Sequence, residues 1–104
     1  MVKRLKKQER SMHNQIVRGL ETELLAAGTH QSIETFWVYS KNGYCGEVDL
    51  LGKDEREFTF YEVKCHLTTK SRNTAQNQFE RFKKAFPKYS VTGYLYANGE
   101  FIKL

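Results

Sequence analysis

Hydrophobic residues recur at helical spacing in two separate segments of the chain. The first segment predicts a helix over residues 11–27, with Ser11 as its N-cap and Gly28 closing it. The second predicts a helix over residues 74–86 that ends at Pro87. The stripes consist of Ile16, Leu20, Leu24 and Ala27 in the first segment and of Ala75, Phe79, Phe82 and Phe86 in the second.

The remaining hydrophobic segments are short, alternating and rich in β-branched and aromatic residues, which is typical of strands. They predict strands over residues 33–39, 47–51, 58–65, 89–96 and 101–104. The dipeptides Asn42-Gly43 and Asn98-Gly99 favour tight hairpin turns, and the charged segment 52–57 provides another turn. The order α-β-β-β-α-β-β predicts an α/β protein, with an antiparallel meander inside a mixed sheet and helices packed around it as a small α/β/α sandwich.

A chain of 104 residues has room for one domain only. Lys and Arg outnumber Asp and Glu by 17 to 12, and this balance suits a polyanionic partner. Residues 1–10 are basic and are expected to form a solvated arm that contacts phosphates through Lys3, Arg4, Lys6 and Lys7.

Some classes of protein are disfavoured by the composition. No apolar run is long enough to span a membrane, and the N-terminus lacks the apolar segment of a signal peptide. We therefore expect a cytoplasmic or otherwise intracellular protein without a membrane partner. Cys45 and Cys65 form neither a CxxC pair nor a zinc-ligand set, so reduced thiols are expected.

Two carboxylates lie within segments that otherwise resemble buried sheet. Asp49 interrupts VDLL and Glu62 interrupts FTFYEV, although burying charge is costly. Side chains alternate along a strand, so Asp49 should share a face with Leu51, while Val48 and Leu50 take the other. The same rule places Phe58, Phe60, Glu62 and Lys64 together, opposite Tyr61, Val63 and Cys65. If the two strands pair antiparallel, both carboxylates and the Lys64 amine converge on one face.

Converging carboxylates have a chemical use, because a divalent cation removes their mutual repulsion. Mg²⁺, for which Mn²⁺ can substitute, takes one or two protein carboxylates and completes its coordination with water and phosphate. The carbonyl of Val63 offers a further ligand, and Lys64 is suited to orienting a water or neutralising transition-state charge. The alternative is a surface charge cluster on an exposed sheet face.

At these residues the sequence resembles the PD-(D/E)XK nuclease superfamily, through Gly46-Glu47-Val48-Asp49-Leu50-Leu51 and Tyr61-Glu62-Val63-Lys64. Val48 stands where the proline of the family name would be. The resemblance implies a restriction-endonuclease-like αβββαβ core, with Asp49 and Glu62 as metal ligands and Lys64 as the catalytic lysine.

Many members of this superfamily carry an acidic residue on the first helix, and this sequence has none at the corresponding stretch, 12–17. His13 or Gln15 could replace it, or Glu21 could reach in from later in the helix, while Glu47 is a further candidate. For His13 the alternative is an ordinary exposed helix residue.

The second helix resembles the Q-xxx-(Y/F) feature of some members in the stretch from Gln78 to Phe82. This resemblance implies that Gln78 contacts the attacking water or the scissile phosphate. Gln76 competes for that role, and Gln78 could instead only edge the apolar stripe of the helix. The basic residues of this region, which either follow a nucleic-acid backbone or form a solvated face, are Lys70, Arg72, Arg81 and Lys84.

The size and layout are similar to small archaeal Holliday-junction resolvases. This implies a Mg²⁺-dependent endodeoxyribonuclease, acting as a homodimer on branched DNA in recombination and repair. One alternative is an exonuclease or nicking nuclease of a repair pathway, virus or mobile element, and another is a non-catalytic DNA-binding protein that retains the fold. An RNA-binding module is less favoured, since the aromatic residues fall mostly at strand-core positions and not on one exposed platform.

Overall fold

The computed structural model describes residues 7–41 and 43–104 of the chain, with side chains from Ser11 onward. Two helices and five strands follow one another in the predicted order, α-β-β-β-α-β-β. They are α1 (Lys7–Ala27), β1 (Ser32–Lys41), β2 (Tyr44–Lys53), β3 (Glu57–Val63), α2 (Thr69–Ala85), β4 (Ser90–Ala97) and β5 (Glu100–Lys103).

The strands form one mixed sheet in the order β1-β2-β3-β4-β5. All neighbours are antiparallel except β3 and β4, which run parallel because α2 returns the chain between them. The predicted α/β sandwich is confirmed: α1 covers one side of the sheet, here called the α1 face, and α2 covers the other, the α2 face. Neither described helix is long and apolar enough to cross a membrane.

Each face has its own core. The α2 face is mainly aromatic, and Phe82 lies at its centre with ring contacts to Tyr39, Phe60 and Phe86. Gly93 of β4 faces the ring of Phe79 so closely that a Cβ there would come within 2.5 Å of it. The buried core of the α1 face consists of Val17, Leu20, Leu24, Leu50, Tyr61 and Val63.

Both helices begin earlier than predicted. Helix α1 starts at Lys7, so Ser11 is an internal residue and not the N-cap, and the expected basic arm is helical from Lys7 onward. The charged residues at the start of α1 are good helix formers, but the apolar stripe does not extend to them and so could not predict this first part of the helix. Helix α2 starts at Thr69, where Thr68 and Ser71 exchange hydrogen bonds as a capping box. Residues 1–6 lie outside the described part of the chain.

The strand ends also differ from the predicted ones. Strand β2 is longer at both ends than the predicted 47–51, and β3 ends at Val63, so Lys64 follows the strand. The hairpin at Asn98-Gly99 is confirmed, with φ of 53° and 75°, the left-handed values that a type I′ turn requires. In the other predicted hairpin Gly43 has φ of 80°, while Asn42 lies outside the described residues.

The simple alternation of side chains breaks in β1 and β2 at the same place. Val48 packs in the core of the α2 face but Leu50 packs in that of the α1 face, so the prediction that they share a side is wrong. In β1, Thr35 bonds to Arg18 of α1, whereas Trp37 and Tyr39 pack on the α2 face. The cause is Phe36, whose φ of 52° reverses the pleat between the Thr35↔Leu50 and Trp37↔Val48 pairs. Asp49 is the residue of β2 between those pairs.

Candidate active site

The two predicted carboxylates meet where strands β2 and β3 separate. Their pairing extends from Lys53↔Phe58 to Leu50↔Tyr61 and stops there. Just beyond, the Oδ2 atom of Asp49 accepts a hydrogen bond from the backbone N–H of Val63 at 2.9 Å. The Nζ atom of Lys64 lies 3.3 Å from Oε2 of Glu62. Asp49 is 8% and Glu62 4% exposed, so the alternative of a solvent-exposed charge cluster is wrong.

These groups line a cleft of about 440 Å³ that is open to solvent on one side. It is bounded by the end of β3, by the first described turns of α1 and by the residues that lead into α2. The cleft therefore gathers side chains from three elements around the carboxylates. Its lining residues are Met12, His13, Asp49, Glu62, Val63, Lys64, Cys65, His66 and Thr68.

Burial and neighbouring charge make the pKa values of the two carboxyl groups very different. Burial, and then the negative charge of Asp49, raise the pKa of Glu62 to about 8, and Lys64 opposes this only in part. Burial also disfavours ionisation of Asp49, but hydrogen bonds from His13 and Val63 outweigh it and lower the pKa of Asp49 below its usual range. Burial and mutual repulsion therefore favour retention of one proton by the pair near neutral pH.

His13 belongs to this electrostatic unit. Its Nε2 atom lies 3.2 Å from Oδ2 of Asp49, and that hydrogen bond raises the pKa of His13 although its partial burial acts the other way. The imidazole is about three-quarters buried, so the interpretation of His13 as an ordinary exposed helix residue is wrong. The structure brings His13 of α1 to the carboxylates.

The donor set fits a hard divalent cation. Two oxygen-bearing side chains share one proton, which a cation would replace while removing their repulsion. Among the side chains described, those of residues 11–41 and 43–104, no three His, Cys, Asp or Glu groups are arranged around one point as ligands. Asp49, Glu62 and the predicted Val63 carbonyl would be the ligands from this cleft, which suits Mg²⁺ because it retains water and phosphate oxygens.

The other first-helix candidates are not brought to the cleft. Gln15 is exposed, and Glu21 lies two turns beyond His13, with its Oε1 3.7 Å from the guanidinium of Arg18. Glu47 is exposed and lines a second, smaller hollow of about 70 Å³.

Gln78 also lines this second hollow, together with Tyr39 and Arg81. Its Oε1 atom is buried and has no hydrogen-bond partner among the described residues. Gln76 points elsewhere and donates to Glu80 at 2.8 Å. The predicted catalytic glutamine therefore lines the second hollow and is not among the residues that line the cleft.

The predicted basic residues divide into two groups. Lys70 and Arg72 are exposed in the first turns of α2, close in the chain to Thr68 at the cleft. Arg81 donates to the carbonyl of Cys45 at 3.3 Å, and Lys84 lies about 20 Å further along the helix than Lys70, at 1.5 Å per residue. Lys3, Arg4 and Lys6 lie outside the described residues, and Lys7 is the first residue of α1.

Several lining residues were not identified from the sequence. His66 is exposed at the cleft, two residues after Lys64, and Thr68 brings the N-terminus of α2 to it. The capping residues Thr68 and Ser71, three positions apart, could have predicted that α2 begins here. Cys65 is a free, half-buried thiol in the cleft, and Cys45 is free and exposed.

Comparisons of this chain with protein-family models, with curated proteins and with solved structures found no match.

Proposed function

We propose that this chain is a Mg²⁺-dependent nuclease of the PD-(D/E)XK type that hydrolyses phosphodiester bonds in DNA. The observation that carries the proposal is the pair of buried carboxylates, Asp49 and Glu62, held at the separation of two strands with the Lys64 amine 3.3 Å from Glu62. Two neighbouring buried carboxyl groups repel one another when both are ionised, which lowers stability. A divalent cation removes that repulsion and uses their oxygens as ligands.

Each residue of the cleft has a separate part in this reaction. Asp49, Glu62 and the Val63 carbonyl would hold the cation, which when bound polarises the phosphoryl oxygen and acidifies a coordinated water. Lys64 is placed to orient the attacking water and to stabilise the charge that develops on the phosphate. His13 positions Asp49 by holding its Oδ2 atom, which leaves the other carboxylate oxygen for the cation.

The surroundings of the cleft suit a phosphate backbone. The chain has a net charge of +5, and Lys70 and Arg72 stand beside the start of α2, whose free N–H groups also favour anions. Contacts to the phosphate backbone do not depend on the base sequence, so we propose recognition of DNA shape.

The finer proposals concern the substrate and the assembly. A structure-selective endonuclease acting on branched DNA, such as a four-way junction in recombination or repair, would use two such clefts. We therefore propose an intracellular homodimer, which is also the assembly that the resemblance to small resolvases implies. Exonuclease or nicking activity in a repair pathway or a mobile element uses the same chemistry and differs only in substrate geometry.

The test is cleavage of labelled linear duplex, single-stranded, flap and four-way-junction DNA, with Mg²⁺ or with EDTA. We expect cleavage only with Mg²⁺ or Mn²⁺, and loss of cleavage in Asp49→Asn. The matched control is Asp54→Asn, which makes the same change at a carboxylate outside the cleft. DNA retention without cleavage in either buffer would identify a non-catalytic DNA-binding protein, and cleavage by Asp49→Asn at the parental rate would refute the site.

A further inference from the structure

Three aromatic side chains form a partly exposed surface on the α1 face, beyond the part that α1 covers. The main contacts of helix α1 are with β1, β2 and β3, whereas these residues lie on β4 and β5, where Tyr94 and Tyr96 border the core of the α1 face. We call Tyr94, Tyr96 and Phe101 the aromatic platform. The ring of Phe101 lies 6.0 Å from that of Tyr94 and 4.9 Å from that of Tyr96, and Phe101 is 48% exposed. Most of the other aromatic residues pack in or against the two cores, as the sequence indicated.

The platform is rigid and carries positive charge at its margin. Tyr94 stacks on the buried ring of Tyr61 at 5.8 Å, which fixes it from below. Lys103 lies directly across from Tyr94, so its side chain projects from the same face. The acidic residue of β5, Glu100, lies across from Ala97 and projects from the opposite face. Aromatic rings bordered by lysine suit a ligand with flat apolar faces and an anionic backbone.

The platform is continuous with the proposed active site. The backbone N–H of Lys64 donates to the carbonyl of Tyr96 at 3.0 Å, and Tyr96 pairs with Val63. Neighbouring strands lie about 5 Å apart, so β5 is about 10 Å from β3. That span corresponds to about three stacked nucleotides at 3.4 Å each. A strand whose phosphate occupies the cleft can therefore lay its next bases over these rings.

We propose that the aromatic platform stacks unpaired bases next to the scissile phosphate, which makes DNA with a single-stranded segment at the cleavage point the preferred substrate class. This inference rests on the proposed function. In a duplex the faces of the bases are covered by their neighbours, so only a flap, an overhang or a frayed junction arm offers faces to stack.

The test measures binding to a fluorescein-labelled 12-mer of thymidine by anisotropy in EDTA, so that no cleavage intervenes. A 12-mer of abasic deoxyribose phosphates keeps the charge and removes the bases. We expect the parent protein to prefer the thymidine strand, and Phe101→Ala to weaken binding of that strand by about 5- to 100-fold while binding of the abasic strand stays the same. Phe101→Trp should retain the preference, and Phe101→Leu should lose it, although leucine retains apolar surface.

Charge and assembly are tested separately. Lys103→Glu should weaken binding of both strands. The control is Lys88→Glu, the same charge change at an exposed residue before the start of β4, which should weaken binding of the thymidine strand less than Lys103→Glu does. Equal affinity of the parent for both strands, or retention of the preference in Phe101→Leu and Phe101→Ala, would overturn the inference. Conversion of a dimer to a monomer by Phe101→Ala, with unchanged preference for the thymidine strand, would assign the face to a second copy of the chain and also overturn it.

The two proposals fail in distinguishable ways. If the protein cleaves DNA with Mg²⁺ but shows no preference for bases over abasic strand, the platform inference fails and the nuclease proposal stands. If it prefers bases through Phe101 but cleaves nothing, the nuclease proposal fails and the platform is a binding surface for unpaired strands. Circular dichroism and thermal melting of each variant establish that these differences come from folded proteins.

Discussion

The carboxylate of Asp49 accepts the backbone N–H of Val63 at 2.9 Å, at the point where β2 and β3 have stopped pairing. A side-chain oxygen thus takes the place of the main-chain acceptor that a continuing ladder would supply. This allows the strands to separate without leaving a buried donor unpaired. The separation opens the cleft, so one residue both forms the opening and supplies the proposed ligand.

This double role predicts that two substitutions of Asp49 will differ in their effect on the free energy of unfolding. Asp49→Asn keeps an oxygen for the Val63 N–H, whereas Asp49→Ala leaves that N–H buried and unpaired, at a cost of about 1–3 kcal/mol. We expect both variants to lose cleavage, but only Asp49→Ala to lower the free energy of unfolding by this amount. Urea denaturation measures the difference. Equal stability of the two variants would show that the hydrogen bond to Val63 is unimportant.

A pH dependence follows from Glu62. Its pKa of about 8 in the folded protein lies above the ordinary value of 4.5. The stability that this proton contributes is therefore complete below about pH 4.5 and is lost as the pH rises through about 8. The raised pKa of His13 acts in the same direction. Without metal, we expect the melting temperature to fall between pH 5 and pH 9, and to fall less in Glu62→Gln.

Binding of Mg²⁺ should oppose this fall in the melting temperature at high pH. At pH 6 a cation must displace the proton of Glu62, whereas at pH 9 the site is already ionised. We expect Mg²⁺ to raise the melting temperature more at pH 9 than at pH 6 and to release a proton when it binds near neutral pH. Calorimetry in buffers of different ionisation enthalpy measures that release. Identical Mg²⁺ effects at both pH values would contradict the carboxylate assignment.

Lys64 is expected to act in the reaction more than in holding the metal. Lys64→Met should lower the cleavage rate by about 100-fold or more, since it removes a group that acts on the attacking water or the transition state. Mg²⁺ affinity, measured by calorimetry, should change much less. Lys64→Arg keeps the charge and serves as the control. Equal losses of rate and affinity in Lys64→Met would mean that the lysine only organises the site.

The two helices should contribute unequally to the reaction. His13 contacts Asp49 directly, and Gln78 lines the second hollow. We expect His13→Gln to lower the cleavage rate by about 10- to 100-fold, the range for a residue that positions a metal ligand. Gln78→Met, which removes a buried unpaired oxygen, should leave stability unchanged or slightly higher. A larger loss of cleavage in Gln78→Met than in His13→Gln would show that Gln78 contributes more to the reaction than His13 does.

A second pH effect should come from the turn between β2 and β3. The Nδ1 atom of His30 lies 2.8 Å from Asp54, and this hydrogen bond, with that of the Gln31 N–H, lowers the pKa of Asp54. A carboxyl group whose pKa is lowered by folding stabilises the protein at pH values above its unfolded pKa. This stabilisation is lost as the pH falls through the folded pKa. Asp54→Asn should cost about 1 kcal/mol at pH 7 and little at pH 2. The exposed neighbour Glu55→Gln is the control, and a difference that persists at pH 2 would exclude this linkage.

The order and type of every element could be predicted from hydrophobic period and turn residues. The positions of Asp49, Glu62 and Lys64 could also be selected, because charge inside apolar strand segments is costly enough to require a reason. Helix starts were less predictable. The first turns of α1 and α2 are polar, so their helical state comes from charged helix formers and from the Thr68 cap, and no apolar stripe marks them.

Only the tertiary structure decided which side chains meet. The positive φ of Phe36 reverses the pleat opposite Asp49, and no alternation rule could have anticipated a left-handed phenylalanine. The choice of His13 over Gln15 and Glu21 depended on how α1 lies on the sheet, and the placement of Gln78 depended on the rotation of α2. Sequence periodicity thus determined the type and order of the elements, since these depend on residues close in the chain. The partners of each polar side chain depend on packing between distant segments, which only the folded chain establishes.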